Sequence, residues 1–308
     1  MNREPVGDLT ALRSGGKPAL ARALAALEAR PDAPEVLALL DDAYVRPTAQ
    51  VIGLTGPPGV GKSTLAGVLV SSYRKQGRTV GVIAVDPSSR RSGGALLGDR
   101  VRLRTDPEDS GTFVRSMAAR DQLGGLAEET YAAMILMRAV FDLVLVETVG
   151  VGQSETDIAL AADTVVFCVQ PGSGDSLQFM KAGIVEIPDI IVVTKGDMGK
   201  AAIRARADVK GALGLAAEHG EWWRVPVQIV AAGAGEGITE LTGELAAHWH
   251  WLNVGDRLAE KRRLQAEAWL KQAIKERWGR EGLRRLGQLS LATGTSPFGK
   301  LAPRTAAD

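Results

Sequence analysis

Residues 51–64 read Val-Ile-Gly-Leu-Thr-Gly-Pro-Pro-Gly-Val-Gly-Lys-Ser-Thr, and the rest of the chain is arranged around this segment. Its apolar start predicts a buried strand, and a helix is predicted to begin at Lys62. Between them, Gly56-x4-Gly61-Lys62-Ser63 fits the phosphate-loop pattern at every required position. Glycines let backbone N–H groups turn toward an anion, Lys62 can reach the β- and γ-phosphates, and Ser63 can hold Mg²⁺. The sequence therefore predicts a nucleoside triphosphate site, and further predicted contacts come from Gly59, Val60 and Thr64.

Apolar strands alternate with helical segments beyond this loop, and that order predicts an α/β fold. We expect a mostly parallel, doubly wound sheet. The predicted strands after the loop are 80–85, 112–115, 143–146, 165–169, 190–194 and 227–230. Ligand sites in such sheets gather at the carboxyl ends of the strands.

Helical patterns flank this core on both sides. We predict an N-terminal helical arm over 1–48, a nucleotide domain over 49–250 and a C-terminal helical extension over 251–308. The long charged helix of that extension carries an apolar stripe in which Leu270, Ile274 and Trp278 recur at four-residue spacing. This stripe either packs on its own domain or forms a dimer seam. The stretch from Leu291 onward is rich in Gly, Ser, Pro and Thr, so we expect it to be loose.

Bulk composition excludes several classes of protein. The formal net charge of +1 gives no electrostatic support for binding nucleic acid or an anionic membrane. The chain has a single cysteine, Cys168, within an apolar run, which excludes a disulfide framework and predicts a buried strand thiol. We see neither a signal-peptide core nor an apolar run of membrane-spanning length, and we expect a cytoplasmic protein.

The segment Thr194-Lys195-Gly196-Asp197 addresses the choice of base. A carboxylate at Asp197 can accept both the N1–H and the exocyclic amine of guanine, while the stem of Lys195 covers the ring. Adenine has no matching pair of donors, so the motif predicts guanine. Thr194 stands where Asn is commoner and loses one amide contact. The loop at Ala231 and Ala232 could supply a backbone amide to the guanine oxygen.

A second polar group of residues predicts metal binding and hydrolysis. Glu147 ends a buried apolar run and precedes Gly150 by three residues, which suits a carboxylate that binds Mg²⁺ and an amide that meets the γ-phosphate. Asp86 and Asp99 could complete the magnesium shell or orient water, and Arg102 could neutralise charge in the transition state. Solvated surface positions are the alternative for Asp99 and Arg102.

These residues, in this order, resemble the MeaB/ArgK/MMAA family of P-loop GTPases over about 51–237. The most specific block is Val-Glu-Thr-Val-Gly-Val-Gly-Gln-Ser-Glu at 146–155. Other matching blocks are Val-Asp-Pro-Ser-Ser at 85–89, Ser-Gly-Gly-Ala-Leu-Leu-Gly-Asp-Arg at 92–100, Gly-Gly-Leu-Ala at 124–127 and Pro-Gly-Ser-Gly-Asp-Ser-Leu-Gln at 171–178.

The resemblance implies a homodimeric GTPase that uses GTP, GDP and Mg²⁺. It also implies a partner, an adenosylcobalamin-dependent acyl-CoA mutase whose cofactor loading and protection the GTPase controls, with an adenosyltransferase as a further partner. By the same resemblance, Gln153 belongs to the second switch, and the partner-coupling residues of a third switch are Asp175, Gln178 and Lys181. This chain departs from the family pattern at Phe179, Met180 and Ala182, which suggests a mutase other than methylmalonyl-CoA mutase.

Two other functions fit the phosphate loop. A metallochaperone GTPase of the hydrogenase or urease type would need clustered Cys and His ligands, whereas this chain has one Cys and three His. His248 and His250 are close in sequence but face different ways on a helix. A P-loop small-molecule kinase would need an acceptor pocket and would have no use for the residues at 194–197.

Overall fold

We describe the fold from a computed structural model of the chain. The structure describes residues 6–87, 106, 108–119, 128–148, 157–172, 187–216, 223–287 and 289–301. Side chains at 86–87, 118–119, 215–216 and 286 are outside this description.

A seven-stranded parallel sheet forms the centre, which confirms the predicted fold class. Its spatial order is β3-β2-β4-β1-β5-β6-β7. The strands are β1 Gln50–Thr55, β2 Val80–Pro87, β3 Thr112–Ala119, β4 Leu143–Glu147, β5 Thr164–Val169, β6 Ile190–Val193 and β7 Val227–Ile229. Every residue of β1, β4, β5 and β6 is buried, as expected for strands covered on both faces.

Helices cover both faces of the sheet. In the described ranges these are α1 Leu9–Ser14, α2 Gly16–Ala29, α3 Pro34–Val45, α4 Lys62–Lys75, α5 Glu128–Arg138, α6 Lys200–Ala216, α7 Ile238–Leu252 and α8 Arg257–Leu286. One face packs against α4 and α7, through residues such as Ile52, Leu54 and Leu145. The opposite face, with Val51 and Val146, packs against α1–α3, α5 and α8.

The C-terminal helix α8 packs on its own chain. Ala266, Leu270 and Ile274 are buried in the same cluster as α1–α3. Of the two uses predicted for the apolar stripe, packing on its own chain is the one that the structure shows. Trp278, expected in the stripe, is 44% exposed. Gly279 has non-helical angles (φ 61°, ψ −155°), so the helix kinks directly after Trp278. The division into arm, nucleotide domain and extension remains a prediction.

The expectation of a loose tail from Leu291 is wrong for residues 291–301. Leu291, Phe298 and Leu301 are each at most 2% exposed and join the cluster of α1–α3, α5 and α8. The Phe298 ring lies 4.9 Å from that of Trp269, and the Ser296 hydroxyl donates to Asp41 at 2.5 Å. The turn-rich composition conceals three apolar anchors whose packing partners are far away in sequence.

Candidate functional site

The phosphate loop connects β1 to α4, and its backbone depends on three glycines. Gly56, Gly59 and Gly61 have φ angles of 132°, 73° and 103°, a range that residues with a side chain rarely adopt. A Cβ atom on Gly56 would lie 2.3 Å from the carbonyl oxygen of Cys168, because β5 passes directly beside the loop. At Gly59 and Gly61 a Cβ atom would meet nothing within 4 Å. Close packing therefore adds to the requirement for glycine at position 56.

Lys62 points into this loop. Its side chain is buried, and Nζ donates to the carbonyl oxygens of Gly56 at 2.7 Å and Pro57 at 3.0 Å. The ammonium group is thus held on the concave side of the backbone turn, where the phosphate groups were predicted to bind. Within the loop Val60 is fully buried, whereas Thr64 lies exposed on the first turn of α4.

Ser63 and Glu147 are brought together, as the prediction of a shared metal site requires. The hydroxyl of Ser63 donates to Oε1 of Glu147 at 2.6 Å, although the two residues are 84 positions apart. Glu147 is the last residue of β4 and is 6% exposed. Hydroxyl and carboxylate oxygens are the donors that Mg²⁺ prefers, so these two residues fit the predicted metal. Asp86 lies near the carboxyl end of β2, and only its backbone is described.

The base-reading segment follows β6. Lys195 is the one residue other than glycine with a positive φ (53°) in the described parts of the chain. The next amide, that of Gly196, donates to the Val230 carbonyl at 3.0 Å, and a Cβ atom on Gly196 would lie 2.8 Å from Ile229. This close approach to β7 fixes a short 3-10 turn, Gly196–Met198, in which Asp197 is exposed.

Thr194 connects this segment to the phosphate loop. Its hydroxyl lies 2.7 Å from the carbonyl oxygen of Val60, to which it donates, and 3.0 Å from that of Val169. The residue is 5% exposed. Thr194 thus joins the base and phosphate sides of the site, even though it lacks the amide of the commoner Asn.

The loop after β7 corrects one detail of the prediction. The amide of Ala231 donates to the Glu236 carbonyl at 3.1 Å, and the Glu236 amide returns a bond at 3.2 Å. Because this bridge occupies the Ala231 amide, Ala231 is not placed to donate to a guanine oxygen. Ala232, one residue further along, is outside the bridge.

Seven predicted residues lie outside the described part of the chain. They are Asp99, Arg102, Gly150 and Gln153 of the hydrolysis prediction, and Asp175, Gln178 and Lys181 of the coupling prediction. Their assigned roles remain predictions.

Two hydrogen bonds near the loop were not predicted from the sequence. Thr148 donates its hydroxyl to that of Thr55 at 3.1 Å, and Lys195 Nζ donates to Oε1 of Gln170 at 2.5 Å. Each of these residues stands at or just after the carboxyl end of a strand, which is the signal that could have found them.

The single thiol, Cys168, supports the loop without reactivity. Burial raises its pKa to about 12, although the nearby Lys62 opposes the shift. At neutral pH the side chain is therefore a protonated thiol. The backbone of Cys168 lies against Gly56. The prediction of a buried strand cysteine is confirmed.

Comparison with known proteins now identifies the family. A family described as methylmalonyl-CoA mutase-associated GTPase MeaB matches residues 20–281. The chain belongs to the MeaB family. The family assignment establishes a GTPase, in agreement with a site that places a phosphate loop beside a guanine-type motif.

Individual relatives of this MeaB-family chain share most of its length. A Pyrococcus horikoshii protein is 41% identical over 281 residues, covering 88% of this chain and 86% of the relative. The mouse protein named methylmalonic aciduria type A homolog, mitochondrial, is 39% identical over 234 residues, covering 75% of this chain and 56% of its own length. A crystal structure titled LAO/AO transport system kinase is 29% identical, has a TM-score of 0.71 and covers 93% of this chain and 87% of that one.

In the described ranges, no group of three or more His, Cys, Asp and Glu side chains is arranged to hold a metal ion. His248 is buried and His250 exposed, so they do face different ways. No helix within the same described ranges has both the length and the apolar character needed to cross a membrane.

Proposed function

We propose that this GTPase controls the loading and protection of the cofactor in an adenosylcobalamin-dependent acyl-CoA mutase. The observation that carries the proposal is the match over residues 20–281 to a family described by its association with methylmalonyl-CoA mutase. The name of the mouse relative refers to the same metabolite class. We further propose that the protein acts as a cytoplasmic homodimer and that an adenosyltransferase is a second partner.

In this proposal the nucleotide spans the two sides joined by Thr194. Asp197 reads the guanine edge and the stem of Lys195 covers the base. The amide of Ala232, in place of that of Ala231, donates to the guanine oxygen. The loop amides and Lys62 bind the phosphates.

Ser63 and Glu147 would hold Mg²⁺, directly or through water, and the ion would supply charge neutralisation on the phosphate oxygens. Asp86 and Asp99 would complete this shell. Arg102, Gly150 and Gln153 would respond to the γ-phosphate and its loss.

Coupling to the partner is assigned to Asp175, Gln178 and Lys181. Gln170, which begins the same stretch of chain, contacts Lys195 at 2.5 Å. This contact gives the base site a short physical connection to the coupling segment, which supports the assignment.

The test measures GTP hydrolysis alone and with purified acyl-CoA mutases that accept methylmalonyl-, isobutyryl- or 2-hydroxyisobutyryl-CoA. We expect slow basal turnover and an increase with one of them, since partners that order a GTPase site raise rates by up to about 10³–10⁵-fold. Lys181→Ala should keep basal turnover and lose the stimulation. Equal rates with and without every mutase would contradict the chaperone role, and a basal loss in Lys181→Ala like that of Lys62→Ala would contradict the coupling role.

A further inference from the structure

Two buried threonine hydroxyls face each other behind the phosphate loop. Thr148 donates its hydroxyl to that of Thr55 at 3.1 Å, and the two residues are 1% and 0% exposed. A hydroxyl removed from water must find a partner inside the protein, and here each supplies the partner of the other. Neither residue is among those predicted to bind the nucleotide or the metal.

The pair stands at the last point where β1 and β4 are joined. Leu54 is opposite Glu147 in the parallel ladder, and the amide of Thr148 extends that ladder with a 3.1 Å bond to the Leu54 carbonyl. Thr55 immediately precedes Gly56, where the phosphate loop begins. The hydroxyl bond therefore connects the start of the phosphate loop to the end of the strand that carries Glu147.

Glu147 is held from the other face of the sheet. Its carboxylate accepts the Ser63 hydroxyl at 2.6 Å on the side covered by α4. Successive side chains of a strand alternate between faces, so Thr148 is directed to the opposite side. The end of β4 is thus fixed from both faces, by Ser63 on one side and by Thr55 on the other.

We propose that Thr55 and Thr148 are positioning residues for GTP hydrolysis, because their hydroxyl bond sets the place of Glu147 relative to the phosphate loop. The inference rests on the GTPase activity of the family and is independent of any mutase partner. Small displacements of groups around a reacting centre reduce turnover by up to about 10²-fold.

The fold itself has little need of this bond. Replacement of both members of a buried hydrogen bond by apolar groups of the same shape is nearly neutral for stability, whereas removal of one member leaves a polar group unpaired. Valine has the shape of threonine and suits a strand. A double valine variant can therefore separate a positioning role from a structural one.

The experiment compares Thr148→Val, Thr148→Ser and the double variant Thr55→Val/Thr148→Val with the unmodified protein. The matched control is Thr130→Val on α5, where the hydroxyl is buried and bonds to no described residue. Each protein is assayed for kcat of GTP hydrolysis, for the Mg²⁺ concentration at half-maximal rate, for the Kd of GDP and for Tm.

We expect Thr148→Val to lower kcat by about 10-fold and to raise the Mg²⁺ requirement, with the Kd of GDP changed less than about 2-fold. Its Tm should fall by about 2–4 °C, whereas the double variant should regain Tm but keep the low kcat. Thr148→Ser should retain kcat within about 3-fold, and Thr130→Val should match the unmodified protein in kcat.

Three results would overturn the proposal. The first is a double variant in which kcat recovers together with Tm, because the two hydroxyls would then serve only the stability of the fold. The second is an unchanged kcat in Thr148→Val. The third is a loss of GDP affinity as large as the loss of kcat. If Thr148→Val does not fold, the double variant and Thr148→Ser still decide the question.

Discussion

Replacement of Thr194 by valine tests whether the base and phosphate sides of the site are mechanically joined. Valine keeps the volume and branching of threonine and removes only the hydroxyl. The Val169 carbonyl keeps a partner, because it also accepts the Thr194 amide at 2.8 Å. The Val60 carbonyl, in a fully buried residue, loses the donor that now lies at 2.7 Å.

The size of the effect follows from that carbonyl. An unpaired buried acceptor costs about 1–3 kcal/mol. In the free protein the loop can move to relieve part of this penalty, and nucleotide binding must then restore the loop. We therefore expect the Kd of GDP to rise by about 10-fold, the equivalent of about 1.4 kcal/mol.

Isothermal titration with GDP at 25 °C measures this change, with Thr194→Ser as the variant that keeps the hydroxyl. Thr194→Asn should bind GDP at least as tightly as the unmodified protein, because its amide can donate to Val60 and has a second hydrogen for the base. If Thr194→Val lowers the melting temperature but leaves GDP affinity unchanged, the hydroxyl serves the fold alone and our reasoning fails.

Three other predictions concern the base, the loop and acid stability. Asp197→Ala should weaken GTP binding by about 10²-fold or more and leave ATP binding unchanged, and equal effects on both nucleotides in a competition assay would contradict guanine reading. Gly56→Ala should lower the free energy of unfolding by more than about 3 kcal/mol in urea titrations, because its Cβ would meet Cys168, whereas Gly59→Ala, with open space around it, should lose only about 1–2 kcal/mol. The Arg74 guanidinium bonded to Asp109 holds the pKa of that carboxyl well below its usual range. The bond therefore stabilises the fold fully above about pH 4, and this stabilisation is lost as the pH falls through the lowered pKa of Asp109. Arg74→Met should therefore be less stable than the unmodified protein at pH 7, with a difference that shrinks below about pH 4; a difference independent of pH would show that the ion pair is not its source.

The parallel sheet was predictable because its strands are continuous apolar runs that end in polar residues. The same pattern predicts that Glu147 and Thr194 lie near the phosphate loop, because the carboxyl ends of parallel strands lie at one edge of the sheet. The structure places Glu147 against Ser63 and Thr194 against Val60 accordingly. The hydroxyl bond between Thr55 and Thr148 was not predictable. Threonine is an ordinary strand residue, and sequence alone does not state which strands are neighbours.

Two other discrepancies come from contacts that composition does not encode. The amide of Ala231 was predicted to be available, but it bonds to Glu236 in a local bridge that closes the loop after β7. The segment from Leu291 appeared loose because turn-forming residues outnumber its three apolar anchors. Burial of Phe298 depends on Trp269 and Tyr131, which are remote in sequence.

The packing of residues 291–301 against α1–α3 also fixes when the protein can finish folding. The apolar faces of those helices are synthesised first, yet part of their cover comes from Phe298 and Leu301. At the usual 5–20 residues per second, roughly 10–50 s pass between the emergence of α3 and that of its cover. During that interval the nascent chain exposes apolar surface of the kind that aggregates and that chaperones bind.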